Sequence, residues 1–162
     1  MRYFHLALFT AGTLALAGLL LNAPAAEAKR RPVTEPDLRI VQVSMSSENY
    51  VPGQGMLDVA VEVELPSYLD GDVLLEVSTL ISSPSKRFMR FLSARQPVSM
   101  PPPDGASRMT VTLSWDGADQ HEQAVSQGQY TYEIKAKLLA VGEKGPRTLM
   151  LSWPKRGTIE VK

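Results

Sequence analysis

The sequence contains no cysteine. That absence excludes disulfides, thiolate metal sites, a cysteine nucleophile and a lipid-modified cysteine together. Histidine is nearly as scarce: His5 lies at the extreme N-terminus, and His121 stands alone downstream. A nucleophile needs a base within hydrogen-bond reach. His121 with Ser114 or Ser126 offers only an unsupported pair, so no catalytic residue is assigned and the chain reads as a non-enzyme. An excess of either charge is also lacking, because 17 basic side chains balance 17 acidic ones. Phosphate binding needs a net basic surface, so no nucleic-acid partner is expected. No cofactor is expected either.

Long apolar runs are confined to one place. Arg2 and His5 precede an uncharged stretch from Leu6 to Leu21, which ends at Asn22-Ala23-Pro24. Ala26-Glu27-Ala28 then puts small residues at the −3 and −1 positions before Lys29. A positive start, a short apolar stretch and an A-x-A exit define a secretory signal. The stretch is short for a membrane span, which needs about 20 apolar residues. Residues 1–28 are therefore read as a Sec-type signal peptide cleaved after Ala28, with no membrane span left in the mature protein. The basic flank Lys29-Arg30-Arg31 is the one feature that suits an uncleaved anchor instead. Periplasmic or secreted localisation follows. Cleavage removes one charge of each sign, Arg2 and Glu27, so the mature protein stays balanced.

Residues 29–37 are basic and carry Pro32 and Pro36, and read as a disordered lead-in. From residue 38 the dominant signal is alternation of period two, the mark of strands with one buried face. Leu57, Val59, Val61, Val63 and Leu65 alternate with Asp58, Ala60, Glu62 and Glu64. A helix would scatter those five apolar residues around its circumference. Similar alternation predicts strands over Ile40–Met45, Val73–Ile81, Met109–Trp115 and Tyr130–Ala140. Shorter strands are expected at Arg87–Leu92, Thr148–Trp153 and Ile159–Val161. Asn49–Gly55 reads as a turn, and Pro97–Gly105, with prolines at 101, 102 and 103, as an extended connector. About eight strands without an amphipathic helix predict an all-β fold over 38–162, an immunoglobulin/fibronectin-III-like β-sandwich. No repeat or second domain is evident.

From Trp115 the chain reads W-D-G-A-D-Q-H-E-Q-A-V-S-Q-G-Q-Y-T-Y. This resembles the W-D-G-x-D-x-x-G-x-x-V-x-x-G-x-Y-x-Y pattern of the immunoglobulin-like domain of flagellar hook-capping proteins. The matching positions are Trp115, Asp116, Gly117, Asp119, Val125, Gly128, Tyr130 and Tyr132, with Glu122 where the pattern has glycine. The resemblance spans eighteen residues and implies a strand–loop–strand unit in an exported bacterial protein. It does not carry a hook-capping role, because such proteins leave by the flagellar apparatus without a cleaved signal. The residues also make structural sense alone. Trp115 caps a core, Asp116-Gly117 turns the chain, and Tyr130 and Tyr132 share a strand face from which both can pack beneath Trp115.

Three further groups are candidates for function. Asp116, Asp119 and Glu122 place three carboxylates in one loop, a weak calcium candidate. Lys86, Arg87, Phe88, Arg90, Phe91 and Arg95 mix cations with apolar groups on what reads as an edge strand, suited to an acidic partner or the envelope surface. Cations there also serve to keep an edge from pairing. Trp115, Trp153, Tyr50 and Tyr68 offer rings for stacking on a sugar. The methionines Met45, Met56, Met89, Met100, Met109 and Met150 are dispersed, as core filler is. The expected function is a non-enzymatic module that binds an envelope protein, the alternative being a carbohydrate or an anionic envelope polymer. Export is checked by intact mass: the mature protein should begin at Lys29, and a start upstream of Ala26 overturns the cleavage site.

Overall fold

An apolar residue at every second position is dry on one face only when a second layer covers it. The computed structural model describes residues 36–69, 71–98 and 108–162, and there the alternation folds into two facing sheets. The signal segment, the lead-in up to residue 35, Asp70, Met100 and the three successive prolines lie outside the described residues. Every regular element among those described is a strand: β1 (Arg39–Met45), β2 (Asn49–Tyr50), β3 (Leu57–Glu64), β4 (Val73–Ser82), β5 (Phe88–Val98), β6 (Arg108–Trp115), β7 (Gly128–Ala140), β8 (Arg147–Leu151) and β9 (Lys155–Val161). No helix among the described residues is long and apolar enough to cross a membrane.

One sheet has the order β1-β3-β6, and the other β2-β9-β7-β4-β5, with β8 also on β7. All pairs are antiparallel except β2 with β9. This is the immunoglobulin/fibronectin-III-like sandwich expected from the sequence. Between the layers lie Val59, Val61 and Val63 of β3, Val111 and Leu113 of β6, Leu75 and Val77 of β4, and Ile134, Ala136 and Leu138 of β7. Each of the larger buried aliphatic side chains contributes roughly 1.5–3 kcal/mol.

Several boundaries differ from the sequence reading, each for a physical reason. Asn49-Tyr50, inside the expected turn, pairs with Glu160-Val161 as β2. The short strand expected at Arg87–Leu92 begins at Phe88 and runs on to Val98, paired with β4 except for a bulge at Met89. Pro97 therefore lies within a strand rather than opening a connector. A ladder tolerates proline where its nitrogen faces a free edge, and β5 ends its sheet. Arg87 belongs instead to the β4–β5 turn, where Ser83 N donates to Arg87 O (2.8 Å) and Lys86 N to Ser83 O (2.8 Å). Met45, Met89, Met109 and Met150 pack against the core as expected, whereas Met56 is exposed.

The outer face of the larger sheet carries ionic rows. Glu76, on the wet side of β4 yet buried, accepts from Arg95 Nε at 2.6 Å and lies 3.4 Å from Lys137 Nζ. Glu133 is flanked by Lys135 (2.7 Å) and Arg156 (2.6 Å). Burial opposes ionisation of Glu76, but the hydrogen bonds from Arg95 and Lys137 outweigh it and hold the carboxyl below the usual range. A depressed carboxyl contributes stability that is present above its unfolded pKa and lost as pH falls through the folded one. Glu76→Gln should cost about 1 kcal/mol at neutral pH, since both cations stay solvated. The difference from wild type should begin to shrink as pH drops below the ordinary glutamate value of 4.5 and be lost as pH falls through the lowered folded value, read by urea melts across pH.

Candidate functional site

The W-D-G segment closes one end of the sandwich. Trp115, the last residue of β6, is fully buried. Its ring lies between Tyr50 (centroids 5.6 Å apart) and Tyr130 (5.9 Å), within the range for favourable tilted aromatic pairs. The indole Nε1 donates to Ala118 O at 2.9 Å, so the ring is buried without an orphaned donor. Tyr132 does not join this stack. It lies over Gly157 of β9, where an added Cβ would collide with the phenol. Tyr50 takes the place expected of Tyr132, and its burial also removes it from any sugar-stacking surface.

The loop that follows is held by its own side chains. Asp116 Oδ1 accepts from Ala118 N (3.0 Å), and Asp119 Oδ1 from His121 N (2.8 Å) and Gln123 N (3.1 Å). The Gln123 bond leads the causes that draw the Asp119 carboxyl below its usual range. Val125 N returns to Gly117 O at 2.9 Å, and Tyr130 Oη donates to Ser126 O at 2.9 Å. A tyrosine at the start of this strand bonding back to the upstream backbone is the tyrosine corner of sandwich folds. Gly128 enters β7 with a φ of 147°, close beneath Pro84.

The carboxylates of Asp116, Asp119 and Glu122 do not converge. Asp119 is engaged with its own loop, while Asp116 Oδ2 lies 3.6 Å from Arg90 Nη2. Among the described residues no group of three or more histidine or acidic side chains is arranged to hold a metal. The catalytic pair weighed from the sequence is not assembled either. His121 Nε2 lies 3.3 Å from Gln120 Nε2, and Ser114 Oγ donates to Asp58 at 2.5 Å.

The basic segment divides in two. Arg90 turns to the loop and donates from Nη1 to Asp119 O at 2.8 Å, while Gln120 N donates to Met89 O at 2.7 Å. Together these bonds clasp the W-D-G loop to the edge of β5. Arg95 is committed to Glu76. Lys86, in the turn with a φ of 61°, and Arg87 are exposed beside Phe88 and Phe91. Phe91 (55% exposed) is the cross-strand partner of Leu80 (39%), and Phe88 (44%) that of Ser82. The same rows continue across β7 and β9, as Leu80–Glu133–Arg156 and Ser82–Thr131–Thr158. They floor an open depression of about 730 Å³, with Lys86 at its rim. The sequence carried the phenylalanines but not Leu80, which the β4–β5 register brings beside them.

Trp153, half exposed, lies elsewhere, in a small hollow with Arg39 and Lys155. Tyr68 donates to Asp37 in an adjoining one.

No family model matches the chain, and no curated protein does. Solved structures similar to it include a glycosyl hydrolase family 2 member from Bacteroides cellulosilyticus, with 15% identity over 78% of this chain and a TM-score of 0.44. Another is a putative beta-galactosidase from Bacteroides fragilis, with 15% identity over 78% of this chain and a TM-score of 0.40. The chain spans 15% and 18% of the lengths of those two proteins.

Two glycine-type positions separate fit from strain in the loop. Gly117 has a φ of 72°, and a Cβ there would lie 2.8 Å from the Tyr50 ring. Glu122 has a φ of 62°, a left-handed conformation that costs a side chain about 1–2 kcal/mol. Gly117→Ala should therefore lower stability by about 2 kcal/mol or more. Glu122→Gly should leave it unchanged or raise it by up to about 1 kcal/mol, relief of strain being partly offset by a freer unfolded chain. Chemical denaturation of both variants checks the opposed signs.

Proposed function

We propose that this domain is a non-enzymatic binding module that works outside the cytoplasm by associating with another protein of the cell envelope. The observation that carries the reading is the contiguous apolar surface of Leu80, Phe88 and Phe91, rimmed by Lys86 and Arg87. Isolated exposed apolar residues need no explanation, but a contiguous patch with a polar rim is the ordinary form of a protein-binding surface. Lys86 and Arg87, which form no ion pair among the described residues, suit a partner with acidic residues around an apolar centre. Export through the N-terminal signal, with cleavage after Ala28, supplies the compartment. The likeness of Trp115–Tyr132 to the hook-capping immunoglobulin-like domain is read as a likeness of module, not of task.

A second reading rests on Trp153. Its half-exposed ring beside Arg39 and Lys155 has the chemistry to stack on a sugar and pair with an anionic group. The readings separate by site. Phe88→Asp with Phe91→Asp should abolish the capture of envelope proteins by crosslinking on intact cells and leave retention on anionic glycans unchanged. Trp153→Ala should do the reverse if the second reading holds. Protein capture that survives the double phenylalanine substitution sinks the first.

A further inference from the structure

At one end of the larger sheet the strands turn apolar side chains to both faces. Ile134, Ala136 and Leu138 of β7 point into the core, so Lys135, Lys137 and Leu139 belong to the outer face. The two lysines suit water, but Leu139 and Val141, just past the strand, do not. The register extends this apolar row sideways, because Leu139 pairs with Leu74 and Leu74 with Pro97. On the other side β8 bulges. Leu138 pairs with Met150 and Leu139 with Thr148, which leaves Leu149 as the extra residue, and a bulge of this kind re-aims a side chain. Leu151 follows opposite Lys137.

Leu139 is buried among these neighbours, whereas Val141 (54%), Leu149 (40%) and Leu151 (48%) are exposed. The core does not need them, since Leu138 and Met150 already pack on it from the same strands. Strands apolar on both faces belong to a sheet covered on both, and among the described residues no further layer lies over this one. Charge at the margin is mostly of one sign. Val141, Lys144 and Arg147 line one open depression of about 470 Å³, with Glu143 as the single acid on its wall. Lys144 and Arg147 form no ion pair among the described residues. At the inner margin Arg95 and Lys137 share Glu76, so that row keeps one positive charge in excess.

We propose that this patch seats the domain on an anionic lipid bilayer. Val141, Leu149 and Leu151 enter the boundary between headgroups and acyl chains, and Lys144 and Arg147 reach the lipid phosphates. Two features favour a bilayer over a protein. The exposed apolar side chains here are all aliphatic, whereas a protein interface concentrates its energy in aromatic rings. The cations stand on long stems that can lie along apolar surface while their heads stay among the phosphates. A bilayer asks for apolar area and positive charge side by side, without a shaped counterpart. The proposal does not rest on what the Leu80–Phe88–Phe91 surface or the Trp153 hollow binds.

Protein recovered after export should cosediment with vesicles of equimolar phosphatidylglycerol and phosphatidylcholine, and less so as salt rises. Vesicles of phosphatidylcholine alone should bind it about tenfold more weakly. Leu149→Ser with Leu151→Ser, both at exposed positions, should weaken binding to the anionic vesicles about tenfold and leave the circular dichroism unchanged. Lys144→Gln with Arg147→Gln, outside the core altogether, should weaken it to a similar degree. No cosedimentation with anionic vesicles overturns the proposal, as does equal binding to the two kinds of vesicle. Binding indifferent to the leucine substitutions, as attraction through Lys29-Arg30-Arg31 alone would be, also overturns it. So does loss of a crosslinked protein neighbour in the leucine variant when the wild type binds no vesicle, which makes the patch a protein interface. Phe88→Asp with Phe91→Asp should leave vesicle binding intact, so failure here and failure of the envelope-partner reading are read separately.

Discussion

The fold depends on where the Trp115 ring can go. It ends a strand of the smaller sheet, yet its ring partners, Tyr50 and Tyr130, belong to the larger one. The stack is thus the point at which the two layers are fastened across one end of the sandwich. A buried indole needs an acceptor for its N–H, and Ala118 supplies it from the loop immediately downstream. The loop must double back within three residues to do so, which is why Gly117 sits in a left-handed conformation against Tyr50 with no room for a side chain. Without cysteine, this stack takes on a fastening role that a disulfide between sheets would otherwise share.

The same loop controls the edge of the larger sheet. Once the turn is set by Asp116 and Asp119, the Asp119 carbonyl and the Gln120 N–H point at β5. Arg90 fills the gap, reaching that carbonyl and the Asp116 carboxylate. Core closure and edge protection are therefore one construction. An exposed ladder invites indiscriminate pairing, and the loop covers part of the β5 edge at Met89.

The fold was legible in the sequence because alternation is a local signal, strong at β3, where four apolar residues sit on one face and Leu65 continues the pattern just beyond it. The candidate site was less legible. Lys86, Arg87, Arg90 and Arg95 look alike as a run of cations, but register decides their roles. Arg95 falls opposite Glu76, and Arg90 is reached by a loop far along the chain. Tyr132 and Tyr50 exchanged places for a similar reason. Sequence spacing puts Tyr130 and Tyr132 on one face, but which ring meets Trp115 depends on β2 pairing with β9, and two residues of strand inside a glycine-rich turn leave no periodicity to read. Leu80 gave no hint of its importance, since an apolar residue on the wet side of a strand matters only through its neighbours.

Internal use of charge also decides what the surface can recognise. Glu133, Glu76 and their basic partners form closed rows, and a cation already paired to a carboxylate has little left to offer an incoming acid. That leaves Lys86 and Arg87 beside three exposed apolar side chains, all at the β4–β5 end of one sheet. In the proposed association, apolar area supplies the affinity, and the two cations supply orientation. On this composition the proposed protein association rests. The hollow at Trp153 has one ring and two cations but little apolar area. The two surfaces lie on different elements, so the two proposed associations do not compete for the same residues.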